Sequence, residues 1–139
     1  MNKKKILDFI SNWIWQLPQN LCGYIYKNIS KNNRKEKIEN TTIKKLGIEA
    51  YAKTSPGSVS LGKYIFITEK NKNNRNTILH ECGHSKQSRI LGPLYLIIIG
   101  IPSIIWSMLH SYIPYFWKYS YHSFCTEKWA DKLMLIKRK

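Results

Sequence analysis

The residues with most chemistry to offer lie together in His80-Glu81-Cys82-Gly83-His84. Helical positions four apart lie one turn apart on the same face, so the two imidazoles point one way and can share a divalent ion. Glu81, beside them, is placed to accept a proton from a water held by that ion. Zinc suits such a pair, because it lowers the pKa of a bound water to about 7 and polarises a carbonyl. With 4 histidines and 6 glutamates in 139, a chance match is expected on the order of 0.005 times.

Catalytic zinc takes a third protein ligand and keeps one position for water. A third histidine six residues beyond His84 would fall at position 90, which is Ile90, so that arrangement is excluded. A glutamate on a later helix is the other common solution, and Thr126-Glu127-Lys128-Trp129-Ala130-Asp131 offers one. Glu127 and Asp131 again share a helical face. Glu127 is the expected third ligand, and Asp131 is suited to accept a hydrogen bond from the free ring nitrogen of a ligating histidine. His110 and His122 are rival ligands ranked behind Glu127, since an isolated histidine is more often an ordinary surface or core residue. Cys82 faces away from the histidines and reads as core. Gly83 reads as a point of close helix packing, and Gln87 as a solvated helix residue.

The pairing of His80-Glu81-Cys82-Gly83-His84 with Glu127-Lys128-Trp129-Ala130-Asp131 resembles the gluzincin zinc metallopeptidases. It is most similar to their membrane-associated branch and to the single-domain minigluzincins, whose second motif also reads Glu-x-x-Ala-Asp. The resemblance covers about Leu61 to Leu135. It implies a minimal zincin-like fold and hydrolysis of a protein or peptide substrate, with zinc on His80, His84 and Glu127 and Glu81 as general base. It also implies a substrate edge strand just before the active-site helix, matching Leu61 to Thr68, which would bind an extended peptide by strand addition. The chain departs from typical members in lacking their large second subdomain. No residue is clearly marked as the oxyanion partner; Tyr119, Tyr121 and His122 are the candidates. Two other classes stay open: a zinc-binding regulatory or interaction protein with little or no turnover, and a basic membrane-surface adaptor.

The elements that must position these residues read as an α+β fold. A small antiparallel sheet precedes the active-site helix, followed by an apolar helical hairpin and a C-terminal ligand helix. Strands are expected at Glu49 to Lys53 and Ser58 to Thr68, flanking the Ser55-Pro56-Gly57 turn. The Asn-rich loop at 70–76 supplies caps for a helix from about Thr77 to Leu91, which Gly92-Pro93 stops. Upstream, Ile6, Phe9, Ile10, Trp13, Ile14 and Leu17 form one apolar stripe at helical spacing. This stripe either lies in a membrane interface or packs on the domain's own core. Residues 1–45 therefore read as amphipathic helices plus a charged surface helix or linker, and 46–139 as the metallopeptidase domain.

The apolar stretch from Leu94 to Leu109 falls short of the roughly 20 residues of a simple transmembrane helix. A single crossing there would also strand His84 and Glu127 on opposite sides of a bilayer. A hairpin over 93–117 resolves this, with one arm at 94–110 of about 25 Å and a helical return over 115–127 of about 20 Å. Its turn is expected near Ser111 to Pro114.

The net charge of +15 favours anionic surfaces. The basic residues are spread through every polar segment, and the aromatic residues do not interleave with them, which argues against nucleic acid. Membrane association on the cytoplasmic face is the expected location, with a soluble cytoplasmic protein as the alternative. Three widely spaced cysteines with no CxxC point to buried thiols rather than a disulfide framework. Nothing in the sequence sets the oligomeric state.

Overall fold

The structure, a computed structural model, describes residues 2–32 and 34–138. Helix α1 (Lys3–Phe9) starts at Asn2, whose side chain accepts from the Lys4 amide, and runs on through π turns at Ile10–Trp15. Helix α2 (Leu17–Ile29) has Pro18 in its first turn, where the missing N–H is harmless. There follow β1 (Arg34–Ile38), α3 (Thr41–Leu46), β2 (Glu49–Lys53), β3 (Val59–Leu61) and β4 (Tyr64–Thr68). Helix α4 (Arg75–Leu91) is capped by Asn74, whose side chain accepts from the Asn76 and Thr77 amides. A 3₁₀ turn, π turns at Leu96–Gly100 and then α5 (Ile101–Tyr112) follow, and α6 (Cys125–Leu133) closes the fold.

The α+β class holds, but the sheet is mixed rather than antiparallel, in the order β1-β2-β4-β3. The Ser55–Gly57 turn does not fold β2 back on its neighbour. The chain crosses instead to the edge as β3, reverses at Gly62 and lays β4 parallel to β2. Gly62 has φ 64°, and a Cβ there would strike the Asn20 side chain, so this turn needs glycine. The edge strand expected at Leu61 to Thr68 is therefore corrected: β4 is interior and β3 is the edge.

Both sheet faces are covered, which is why Tyr64-Ile65-Phe66-Ile67 shows no polar alternation. Ala50, Ala52, Ile65 and Ile67 pack with Ile78 and Cys82 of α4 and with Ile43 and Ile48. Tyr51, Tyr64 and Phe66 pack on the other face with Tyr26 of α2. The polar stretch at 30–45, expected as a surface helix or linker, supplies a 3₁₀ turn, β1 and α3. Strand β1 forms because its antiparallel pairing with β2 satisfies backbone groups that no local pattern announces.

The apolar hairpin also differs from expectation. Its first arm ends at Tyr112 and the chain turns at Ile113, but the return is two 3₁₀ turns, Pro114–Lys118 and Tyr121–Ser123. Aromatic packing shapes this return. Trp106 stacks on Phe124 at 5.0 Å and donates to the Tyr121 carbonyl at 2.8 Å. Trp117 donates to the His110 carbonyl at 2.9 Å.

The N-terminal helices bury polar rather than apolar side chains. Their buried residues are Gln16, Gln19, Asn20 and Gly23. Gln19 donates to the Ser88 hydroxyl and the Gly92 carbonyl, both at 2.9 Å, and Ser88 donates to Gln16 at 2.6 Å. Asn20 accepts from the Lys63 amide at 2.8 Å. The apolar stripe points outward, with Phe9 58% and Ile14 64% exposed. Helix α5 and the turns before it do the same, with Ile97 63% and Ile104 61% exposed. No helix among the described residues is long and apolar enough to cross a membrane.

Candidate metal centre

Helices α4 and α6 meet at the site. Their contact depends on Gly83, where any Cβ would collide with the Ala130 carbonyl. That approach brings together the three side chains expected as ligands. Glu127 Oε2 lies 3.0 Å from His80 Nε2 and 3.2 Å from His84 Nε2, and the two Nε2 atoms are 3.2 Å apart. Tetrahedral zinc with bonds near 2.0–2.1 Å spaces its ligand atoms by about 3.3–3.4 Å, so the triangle fits zinc with little adjustment. All three residues are buried.

Hydrogen bonds behind the two rings fix which nitrogen of each faces Glu127. His80 Nδ1 lies 2.7 Å from Asp131 Oδ1 and His84 Nδ1 lies 2.7 Å from Gln87 Oε1. The Gln87 amide is oriented by its own donation to the Thr126 carbonyl at 2.8 Å, so its oxygen must face His84. Both partners accept, so both Nδ1 atoms donate, and each ring, when uncharged, turns a bare lone pair inward. Two imidazole lone pairs and a carboxylate oxygen thus converge within 3.2 Å. Only a positive charge reconciles three such acceptors. In the protein alone a proton on His80 is the charge available there. Burial opposes it, but the Glu127 hydrogen bond, the Glu81 charge and the Asp131 hydrogen bond raise the His80 pKa to about 8. Burial likewise works against the Glu127 carboxylate, and its bonds to His80 and His84 prevail, holding it well below the usual range.

Gln87, read from the sequence as solvated, is 0% exposed and is the outer partner of His84. Its place three residues after His84 was the available signal. Asp131 stands where the sequence reading put it, and Arg138 anchors it in turn, with Nε 2.6 Å and Nη2 3.1 Å from its carboxylate. Cys82 is core as expected: burial pushes its thiol up to about 12. The rival His110 sits with Nε2 3.0 Å from the Tyr119 carbonyl, away from the three ligand atoms.

A cleft of about 920 Å³ opens beside these residues, walled by β3 on one side and α5 on the other. Glu81 lines it, and burial raises its carboxyl pKa against the pull of His84 and His80. A polar clamp ties the edge strand to α4: Ser60 Oγ donates to the Glu81 carbonyl at 3.3 Å and lies 3.2 Å from Ser85 Oγ, which donates to the Gly62 carbonyl at 2.7 Å. Tyr95 Oη donates to the Ser60 carbonyl at 3.3 Å. Tyr121 and His122 line the cleft and Tyr119 does not. Burial and then the Glu127 charge lift the Tyr121 phenol to about 12, keeping it a donor. His122 packs its ring 4.8 Å from that of His80, and burial, then the charges of His80 and Arg138, lower its pKa to about 4. Its Nδ1 is buried with no partner among the described residues. His80, His122 and Asp131 form a second conceivable ligand group, less buried than the first.

Comparison with protein-family models, with curated proteins and with solved structures finds no match to this chain.

Proposed function

We propose that the protein is a zinc-dependent peptide hydrolase working at an anionic membrane surface. The observation that carries the hydrolase reading is the convergence of two oriented imidazole lone pairs and the Glu127 carboxylate beside Glu81 in an open cleft. His80, His84 and Glu127 would hold the metal, and Asp131 and Gln87 keep the two rings in the ligating tautomer. Zinc supplies Lewis acidity there, polarising a carbonyl and acidifying water. Glu81 takes the proton of the attacking water and returns it to the leaving amine, a role served by its raised pKa. Tyr121 and His122 are the cleft residues suited to steady the developing oxyanion. The edge strand β3, which lines the cleft, supports an extended peptide as substrate.

The membrane reading rests on the outward apolar faces and the charge around them. Lys3, Lys4 and Lys5 open α1, and no acidic residue occurs between Glu81 and Glu127, the span that includes α5. Apolar contact plus attraction to anionic lipid is the binding mode such a surface fits.

For the hydrolase, zinc-loaded wild type and Glu81→Gln are compared on a quenched-fluorescence peptide library. Losing the base should lower turnover by about 10²–10⁴-fold at unchanged zinc content. Equal turnover in the two proteins, or none in the wild type, defeats the reading. For the membrane, co-sedimentation with phosphatidylserine-containing vesicles should exceed that with neutral vesicles and fall in Ile14→Ser/Ile97→Ser. Sedimentation no greater than in lipid-free controls defeats it.

A further inference from the structure

Lys53 ends β2 and is 4% exposed, yet it lies in the wall of the cleft that holds Glu81 and the three ligand residues. A buried ammonium normally rests on a carboxylate, because an unpaired buried charge is costly. Lys27 and Lys63, the partly buried lysines beside the same sheet, both pair with Glu49, at 3.0 and 3.2 Å. Lys53 forms no ion pair among the described residues. Its ammonium donates to the Ser55 hydroxyl at 3.0 Å and the Pro56 carbonyl at 3.1 Å, both uncharged, which leaves one of its three N–H groups over.

The topology explains why this charge belongs to the cleft. Lys53 pairs with Thr68 at the carboxyl ends of the parallel strands β2 and β4. That end of a parallel pair is where polar ligands are commonly received. The chain leaving β4 there supplies Asn71 and Thr77, which line the cleft with Lys53, and Thr77 stands one helical turn before Glu81.

We infer that Lys53 anchors a carboxylate of the bound peptide, from an Asp or Glu side chain or from the chain's own C-terminus. The inference rests on reading the cleft as a peptide site. It makes Lys53 a specificity determinant, drawing acidic substrates to a protein whose net charge is +15.

The test uses full-length zinc-loaded Glu81→Gln, which leaves peptides intact, and fluorescent decapeptides in matched sets. One set exchanges Glu for Gln at each position, and the other compares free with amidated C-termini. One acidic position, or the free terminus, should tighten binding about tenfold or more, and which set responds identifies the source of the carboxylate. Adding Lys53→Gln, which keeps a polar N–H donor but removes the charge, should erase that preference, and Lys53→Arg should keep it. Equal binding of acidic and neutral peptides, or a preference that survives Lys53→Gln, overturns the inference. Wild-type turnover is scored separately. A Lys53-dependent preference in a protein that hydrolyses nothing refutes the hydrolase alone, and hydrolysis without the preference refutes the subsite alone.

Discussion

Glu127→Gln tests the metal centre most directly. The residue is 1% exposed, and its Oε2 lies 3.0 Å from His80 Nε2 and 3.2 Å from His84 Nε2. Glutamine preserves the shape but removes the only anionic ligand of the three. Four-ligand zinc sites bind with about 10–16 kcal/mol, or about 2.5–4 kcal/mol per ligand. The substitution should therefore weaken zinc binding on the order of 10²–10³-fold. At a zinc concentration 100 times the wild-type Kd, the metal should stabilise the wild type by about 2.7 kcal/mol and the variant by at most about 0.4 kcal/mol. Without metal the variant should differ far less, since the lost pairing with His80 is offset by no longer burying a carboxylate. Competition against a chromophoric chelator gives the Kd, and denaturant unfolding with and without zinc gives the stabilisation. A Glu127→Gln Kd within threefold of wild type would refute the three-ligand argument. If His122→Ala then abolished binding, the ion would belong instead to the group of His80, His122 and Asp131.

The outer partners should matter less than a ligand but measurably. Asp131→Asn and Gln87→Ala are each expected to weaken zinc about 10–100-fold, read by the same competition. Gly83→Ala forces a Cβ onto the Ala130 carbonyl, so it should destabilise the fold by at least about 1–3 kcal/mol and lower zinc affinity as α6 is displaced, by denaturation and competition. Glu49 is opposed by burial but held by Tyr51, Lys27 and Lys63, which lower its pKa from 4.5 to about 2. Its folded pKa lies below the unfolded one, so its contribution is full above about pH 4.5 and disappears as the pH falls towards 2. Glu49→Gln should cost about 1–2 kcal/mol at pH 7, after allowance for its partial exposure, and stability curves of variant and wild type should converge in acid. A constant gap across that range would count against the assignment.

Much of the site could be read from the chain because it depends on local geometry. The four-residue spacings of His80 with His84 and of Glu127 with Asp131 put each pair on one helical face. Asn74 and Gly92 bracket α4 through backbone chemistry that acts over a few residues. β2 was legible from its flanking turn, and the role of Gly83 from the rarity of glycine within a helix.

Tertiary structure decided what depends on partners distant in sequence. Periodicity shows that an apolar stripe exists on α1 but not which way it faces. Here Gln16, Gln19 and Asn20 bond to Ser88, Gly92 and Lys63 and turn the stripe outward. The parallel pairing of β2 with β4 depended on where β3 came to lie, and β1 emerged from a polar stretch because an edge of the sheet needed hydrogen bonds. Gln87 and Lys53 look alike in the sequence, as polar residues of the kind usually left in water. Burial gave one a histidine to orient and left the other a charge whose hydrogen bonds go only to a hydroxyl and a backbone carbonyl. A sequence specifies the polar groups a chain carries, but only the fold determines which of them lose water and what they find in its place.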